Sequence, residues 1–263
     1  MRSLQPINTM QYEHLPVAIY ATNAEAGQAA AQDAQKIINE AILDKGDANI
    51  ILATGNSQLT FLHALRELDG IDWSNVNVFH LDEYVGIDPN HRASFPRFLR
   101  KYFLDFVKVN AFHPISSQLE DIEVACHEYE ALLRERRLDM VALGWGENGH
   151  IAFNDPPFAK FDDPVWVKVV DLADASRRQQ FGEGHFDSLE EVPSQAITLT
   201  IPALLSPEHI LCIVPEARKA SAVENCLTKP VSEEHPGSIL RRVSRARLYL
   251  DEDSAARLGG GGR

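Results

Sequence analysis

The sequence contains the stretch Leu138-Asp-Met-Val-Ala-Leu-Gly-Trp-Gly-Glu-Asn-Gly-His150, in which an apolar run passes directly into a glycine-rich turn. The run at residues 138–143 is typical of a buried strand. Gly144, Gly146 and Gly149 follow within six residues, and glycine lets a backbone bend sharply and approach a ligand closely. The pattern predicts a strand whose carboxyl end opens into a binding loop.

Polar side chains crowd the end of this loop: Asn148, His150, Asn154 and Asp155. An imidazole near a carboxylate, in a tight turn after a strand, suits proton transfer near neutral pH. The alternative is a structural turn whose histidine caps a neighbouring element.

Strand and helix patterns alternate along the rest of the chain. Further strands are predicted at residues 15–20, 49–53, 75–81, 165–170 (as an edge strand), 192–200, 209–214 and 247–250, and helices at 24–43 (capped by Asn23), 59–68, 91–107, 121–137 and 171–181. This alternation predicts an α/β fold with a mainly parallel sheet. Neither an internal repeat nor a linker divides the chain, so we expect one domain over residues 1–258 and a flexible tail at 259–263.

Four turns follow predicted strands, beginning at Thr54, Asp82, Gly144 and Pro215. In open α/β sheets, ligands bind beyond the carboxyl ends of the strands, so these turns should converge on one site. The turn Thr54–Gln58 joins a strand to a helix and can present amide groups to a phosphate. It is neither a Walker loop nor a dinucleotide fingerprint, and a simple capped turn is the alternative.

Asp82 and Glu83 leave an apolar strand side by side, which is unusual because buried charges are costly. Neighbouring residues in a strand point to opposite faces, so only one of the two is expected to enter the cleft. The alternative is that both are solvated in a loop.

Composition restricts the class of protein. The net charge of −13 over 263 residues argues against a nucleic-acid partner, although a few basic groups can still bind a small anionic molecule. The spacing of Cys126, Cys212 and Cys226 suits neither a disulfide framework nor a zinc site. Without a transmembrane stretch or a signal-peptide core, the chain is expected to have no membrane partner and to be cytoplasmic. A homo-oligomer is an open alternative to a monomer.

These motifs resemble the glucosamine-6-phosphate deaminase (isomerase) family, which shares its fold with 6-phosphogluconolactonases and ribose-5-phosphate isomerases. The resemblance runs from about residue 53 to 251 and includes Ser176-Arg177, residues 196–200 and residues 218–220. Two motifs make the resemblance specific to deaminases: Asp82-Glu-Tyr-Val-Gly86 and Gly149-His-Ile-Ala-Phe-Asn154. At the position of the second motif, lactonases carry Gly-His-Thr-Ala-Ser. The resemblance implies a Rossmann-like three-layer α/β sandwich. It also implies conversion of glucosamine 6-phosphate and water to fructose 6-phosphate and ammonia, without a cofactor or metal.

The resemblance also implies roles. Asp82 corresponds to the carboxylate that moves a proton between C2 and C1 of the open-chain sugar, and His150 to the histidine that assists ring opening. Asn148 and Asp155 complete the catalytic set. The substrate and phosphate group comprises Thr54, Gly55, Asn56, Ser57, Gln58, Glu83, Arg177 and Lys219.

Two of these positions depart from the commonest family pattern. Asn148 can orient His150 but cannot act as a base, and Asp155 is one methylene shorter than the usual glutamate. A different amino-sugar phosphate, a lactonase-like activity and a non-catalytic sugar-phosphate-binding regulator therefore remain as alternatives. So do a Schiff-base role for Lys219 and a metal site built from His80, Asp82, Glu83, His150 and Asp155.

Overall fold

The computed structural model describes residues 4–117, 121–156 and 158–259. Its strands are β1 (Asn8–Tyr12), β2 (Leu15–Tyr20), β3 (Ala48–Leu52), β4 (Val76–His80), β5 (Asp82–Tyr84), β6 (Ala111–Phe112), β7 (Met140–Leu143), β8 (Val167–Asp171), β9 (Gln195–Leu199), β10 (His209–Val214) and β11 (Ala246–Asp251). Its α-helices are α1 (Asn23–Lys45), α2 (Leu59–Arg66), α3 (Phe95–Leu99), α4 (Ile122–Arg134), α5 (Asp174–Gly182), α6 (Ile201–Leu204), α7 (Ala220–Thr228) and α8 (Glu252–Ala255). The predicted tail lies outside the described residues, apart from Gly259.

The central sheet has the strand order β1-β2-β11-β10-β7-β3-β4-β6. All neighbouring pairs are parallel except β1 with β2. The predicted α/β fold with a mainly parallel sheet is thus confirmed. The sequence analysis missed β1, β6 and a second sheet, in which β5, β9 and β8 pair antiparallel. The predicted edge strand, β8, lies at the edge of this smaller sheet.

Successive residues of the central strands pack into different layers. In β3, Ile50 and Leu52 face a core shared with α1 and α2, while Ile51 faces a core shared with α4 and α7. Burial on both faces explains why these strands are continuous apolar runs, as parallel strands covered by helices usually are. The result is the three-layer arrangement that the resemblance implied.

One local prediction was wrong in detail. Thr22, not Asn23, caps α1, because its extended backbone lets Oγ1 accept from the amide of Glu25. The helix predicted within residues 91–107 is formed by α3 and a following π-helical turn, Arg100–Leu104.

Strands β10, β7, β3 and β4 are consecutive neighbours, so their carboxyl ends lie along one edge of the sheet. This arrangement places the turns after them side by side, as predicted from the topology. In the part of the chain that the structure describes, no helix is both long enough and apolar enough to cross a membrane.

Candidate active site

A cleft of about 570 Å³, measured to its open mouth, lies at this edge of the sheet. Its walls come from the four strand-end turns and from α5. The lining residues are Ala53, Thr54, Gly55, Ser57, Gln58, Leu81, Asp82, Phe95, Gly144, Trp145, Gly146, His150, Ala152, Phe153, Gln179, Gln180, Glu183 and Lys219.

Lys219 is a cation buried at the wall of the cleft. It follows β10 in a turn held at Glu216, whose φ of 83° is unusual for a non-glycine residue and whose amide donates to both oxygens of Asp251. Lys219 is only 2% exposed, and among the described residues no side chain or carbonyl pairs with its ammonium group. Burial, together with the charge of Arg218, lowers the pKa of Lys219 to about 8. A buried ammonium group without a partner favours an anionic ligand.

The turn after β3 faces the same part of the cleft. Gly55 adopts a φ of 98°, which permits the sharp bend between β3 and the helical segment that follows. Gln58 is buried, and its Nε2 donates to the carbonyl of Ile213 at 3.2 Å, which ties this turn to β10 and so to Lys219. Thr54, Gly55, Ser57 and Gln58 therefore share one wall with the ammonium group.

His150 belongs to a hydrogen-bonded cluster with three other side chains. Its Nδ1 lies 3.0 Å from Oδ1 of Asp155. Asp155 also accepts from Nδ2 of Asn148 at 2.6 Å and from Oγ of Ser176 at 2.7 Å. Although burial would raise it, the pKa of Asp155 is lowered by His150, Ser176 and Asn148. The resulting carboxylate accepts the Nδ1 proton, so Nε2 of His150 is the ring nitrogen left to accept a proton from a ligand.

The backbone at Gly146 fixes where this imidazole lies. A Cβ atom at position 146 would come within 2.1 Å of Cε1 of His150, which no side chain can accommodate. His150 also donates its main-chain amide to Oδ1 of Asn148 at 3.1 Å. Glycine at position 146 therefore lets the imidazole of His150 lie directly against the main chain, and Asn148 helps to orient His150.

Asp82 and Glu83 are both buried, so the alternative of two solvated carboxylates is wrong. Asp82 lines the cleft, whereas Glu83 points the other way and accepts from the hydroxyl of Ser94 at 2.8 Å and the amide of Phe95 at 3.2 Å. Burial and the neighbouring Glu83 raise the pKa of Asp82 to about 8. Burial also raises the pKa of Glu83 to about 7, despite its hydrogen bonds to Tyr84, Ser94 and Phe95.

Three predicted substrate contacts are placed differently. Glu83 is absent from the cleft wall, because its carboxylate is directed to the hydroxyl of Ser94 and the amide of Phe95. Arg177 turns its Nη2 away to the carbonyls of Leu189 and Val192, at 2.9 and 3.1 Å, because these loop carbonyls offer a guanidinium group two acceptors. Asn56 directs its amide to the carbonyl of Glu183 at 3.5 Å instead of into the cleft.

The sequence analysis did not select several lining residues. Gln179, Gln180 and Glu183 come from α5 and its end, and Trp145, Phe95 and Phe153 supply the aromatic surface. Gln179 and Glu183 are four residues apart, and residues at this spacing lie on the same face of a helix. The spacing could therefore have predicted that both side chains face the cleft once one of them was assigned to it.

The alternative of a metal site concerns His80, Asp82, Glu83, His150 and Asp155. Throughout residues 4–117, 121–156 and 158–259, histidine, cysteine and acidic side chains do not gather in a group of three suited to metal binding. His80 is fully buried, and its Nε2 accepts from the amide of Ile115 at 2.8 Å.

Comparison with known proteins adds independent information. The family model described as glucosamine-6-phosphate isomerases/6-phosphogluconolactonase matches residues 21–249. A glucosamine-6-phosphate deaminase from Exiguobacterium sibiricum is 36% identical over 208 residues, covering 79% of this chain and 80% of the relative. One from Bacillus cereus strain G9842 is 30% identical over 219 residues, covering 83% and 81%.

Solved structures agree with the fold. A structure described as a monomeric glucosamine-6-phosphate deaminase superposes with a TM-score of 0.82 at 29% identity, covering 94% of this chain and 99% of that one. A 6-phosphogluconolactonase from Trypanosoma brucei has a TM-score of 0.75 at 16% identity, covering 96% and 100%, and at that identity the likeness shows the fold alone. Since the family model spans residues 21–249 and a relative that is 36% identical matches 79% of the chain, this protein belongs to the glucosamine-6-phosphate isomerase/6-phosphogluconolactonase family.

Proposed function

We propose that this protein converts glucosamine 6-phosphate and water to fructose 6-phosphate and ammonia. The observation that carries the proposal is the buried, unpaired ammonium group of Lys219, which opens onto the same cleft as Asp82 and His150. The cleft thus combines a cation that suits a phosphate with two groups able to move protons. The identity to glucosamine-6-phosphate deaminases supports the same substrate.

In the proposed reaction, Lys219 and the turn Thr54–Gln58 hold the phosphate. Nε2 of His150 accepts the proton of the O1 hydroxyl, and Asp155 stabilises the imidazolium that forms. As the C1–O5 bond breaks, the imidazolium gives that proton to O5, which becomes the free C5 hydroxyl. Ser176 and Asn148 hold Asp155 in place through its other lone pairs.

Asp82 then acts on the open-chain aldose. Its carboxylate takes the proton from C2 as a C1=C2 double bond forms and O1 takes up a proton, which gives an enolamine. The same C2 proton then returns to C1 as the nitrogen lone pair forms the C2=N bond and the nitrogen gives up a proton. The ketimine that results at C2 adds water and releases ammonia, leaving fructose 6-phosphate. The raised pKa of Asp82, about 8, suits a group that must both take up and return a proton.

Asn148 and Asp155, the two residues that depart from the commonest family pattern, are compatible with the proposed deaminase reaction. A carboxylate at position 148 would lie against Asp155, since Nδ2 of Asn148 is only 2.6 Å from Oδ1. Asparagine supplies a donor there instead, and the shorter Asp155 still reaches His150. We therefore assign Asn148 a positioning role.

We further propose that this protein works in the cytoplasm, in the catabolism of amino sugars such as N-acetylglucosamine. Cys126, Cys212 and Cys226 are free thiols, which supports a reducing compartment. One eight-stranded sheet includes both β1 and β11, which supports residues 1–258 acting as one domain. A homo-oligomer remains a prediction from the sequence, and the structural relative cited above is described as monomeric.

The test of the proposal is Lys219→Ala, assayed by ammonia release from glucosamine 6-phosphate. We expect KM to rise roughly ten- to a hundredfold, the effect of losing a charge-assisted contact to phosphate. Lys229→Ala, which removes an exposed lysine at the far end of α7, is the matched control and should change KM little.

An unchanged KM, or equal turnover of unphosphorylated glucosamine, would contradict the proposal. Hydrolysis of 6-phosphogluconolactone without ammonia release would identify a lactonase, and sugar-phosphate binding without turnover would identify a regulator.

A further inference from the structure

The cleft contains a carboxylate that the proposed reaction does not use. Glu183 follows the last residue of α5, and its side chain is 4% exposed. Its Oε1 accepts from Nε2 of Gln179 at 3.1 Å and from Nη1 of Arg218 at 3.3 Å. Although burial alone would raise it, His185, Arg218, Lys219 and Gln179 lower the pKa of Glu183 to about 2. Glu183 therefore carries a negative charge near neutral pH.

Glu183 lies against the predicted phosphate turn. Its Oε2 is 3.6 Å from the place where a Cβ atom on Gly55 would lie, and 3.5 Å from Nε2 of His185. In the described part of the chain, Oε2 accepts no hydrogen bond of normal geometry. Oε1 is thus held by the protein, whereas Oε2 is buried beside Gly55 without a hydrogen-bond partner among the described residues, and Glu183 is one of the residues that line the cleft.

Lys219 and Glu183 give the cleft charges of opposite sign. They are not in direct contact, because within the described residues no carboxylate lies within 4.0 Å of the Lys219 ammonium group, and Glu183 pairs with Arg218 instead. Each charge still acts on the other, since Lys219 contributes to the lowered pKa of Glu183. Burial and Glu83 raise the pKa of Asp82 to about 8, so Asp82 is mostly protonated in the empty cleft at neutral pH, and its ionised fraction is the form that removes the C2 proton. The empty cleft therefore presents one cation and one anion, which is the electrostatic complement of a zwitterion.

We propose that Glu183 is a specificity-determining residue, which makes the cleft prefer sugar phosphates that also carry a protonated amine over those that carry phosphate alone. A purely anionic sugar phosphate gains attraction to Lys219 but is repelled by Glu183. In an amino-sugar phosphate, attraction between the ammonium group and Glu183 offsets this repulsion. The inference deepens the proposed function and rests on it, because both place the ligand's phosphate at Lys219.

The test compares two ligands that lack an aldehyde and cannot react: 2-amino-2-deoxyglucitol 6-phosphate and glucitol 6-phosphate. Calorimetry at neutral pH gives the ratio of their dissociation constants for each protein. We expect the parent to bind the amino ligand more tightly and Glu183→Gln to reduce that preference by about three- to tenfold, as expected for charges several ångströms apart in a partly hydrated cleft. Glu183→Asp keeps the charge and should retain most of the preference.

Glu190→Gln removes an exposed carboxylate from the same connecting segment and should leave the ratio unchanged. If Glu183→Gln weakens both ligands equally, Glu183 binds a hydroxyl group shared by the two, and the inference is overturned. If it tightens both equally, Glu183 only repels phosphate, and the inference is again overturned. Failure of the parent to bind either ligand would overturn the proposed function as well, and that result differs from an unchanged ratio.

Discussion

Asp82 and Asp155 are two buried aspartates at the same cleft, and their surroundings give them opposite acid–base properties. Asp155 is 1% exposed, yet three neighbouring donors lower its pKa. Asp82 is 7% exposed, no described side chain donates to it, and burial beside Glu83 raises its pKa to about 8. Depth of burial is nearly the same, so the presence of hydrogen-bond donors decides whether the carboxylate is charged.

The difference suits the two roles proposed above for these aspartates. A carboxylate with three donors is a fixed anion that orients and stabilises a charged imidazole. A carboxylate with no donor can exchange its proton with a substrate near neutral pH. The three predictions below test this contrast.

The largest effect is expected for Asp82→Asn, which keeps the size of the side chain and removes its basicity. Ammonia release should fall by about 10²- to 10⁴-fold, the usual contribution of a positioned general base. Exchange of the C2 hydrogen with deuterated water, followed by NMR, should be lost to the same extent, while sugar-phosphate binding stays nearly intact.

Glu83→Gln is the matched control, because it alters the neighbouring carboxylate, which faces away from the cleft. It should retain measurable exchange. Parent-rate exchange in the Asp82 variant, with loss in the Glu83 variant, would mean that the two roles are inverted.

Asp155→Asn should have the next largest effect, on stability. Asparagine offers one acceptor where three donors converge, so buried donors of Asn148, His150 and Ser176 lose partners. We expect the free energy of unfolding to fall by about 2–4 kcal/mol in urea titrations. Asp82→Asn should cause no such loss at pH 7, and equal destabilisation by the two substitutions would contradict the contrast.

The smallest effect concerns the pH dependence of stability. The pKa of Asp82 is higher in the folded protein than its ordinary value of 3.8, so its favourable contribution is complete below about pH 4 and is lost as pH rises toward 8. The pKa of Asp155 is lowered, so its contribution is present above about pH 4 and is lost in acid.

Asp82→Asn should therefore be more stable than the parent at pH 8 and nearly equal to it at pH 4, because the variant has no carboxyl group that must ionise. Urea titrations at both pH values measure this difference. A gap that does not widen with pH would show that Asp82 ionises normally in the folded protein.

Much of the site was predictable because its signals are local. Apolar runs and glycine-rich turns marked the strands and their carboxyl ends, and the parallel-sheet rule then placed Thr54, Asp82, His150 and Lys219 at one edge. Strand alternation also predicted that Asp82 and Glu83 would separate. It could not say which one would face the cleft, because that depends on the donors of Ser94 and Phe95, which α3 brings from elsewhere.

The sequence by itself determined the α/β fold, the converging turns and the residues able to carry protons or bind phosphate. Only the tertiary structure decided the charge of each carboxylate and the direction of each long side chain. Arg177 turns to the carbonyls of Leu189 and Val192, and Glu183 reaches back over Gly55, through contacts between distant segments. Periodicity and motif spacing describe neighbours along the chain, whereas pKa values and side-chain directions depend on which donors, acceptors and charges folding brings close in space.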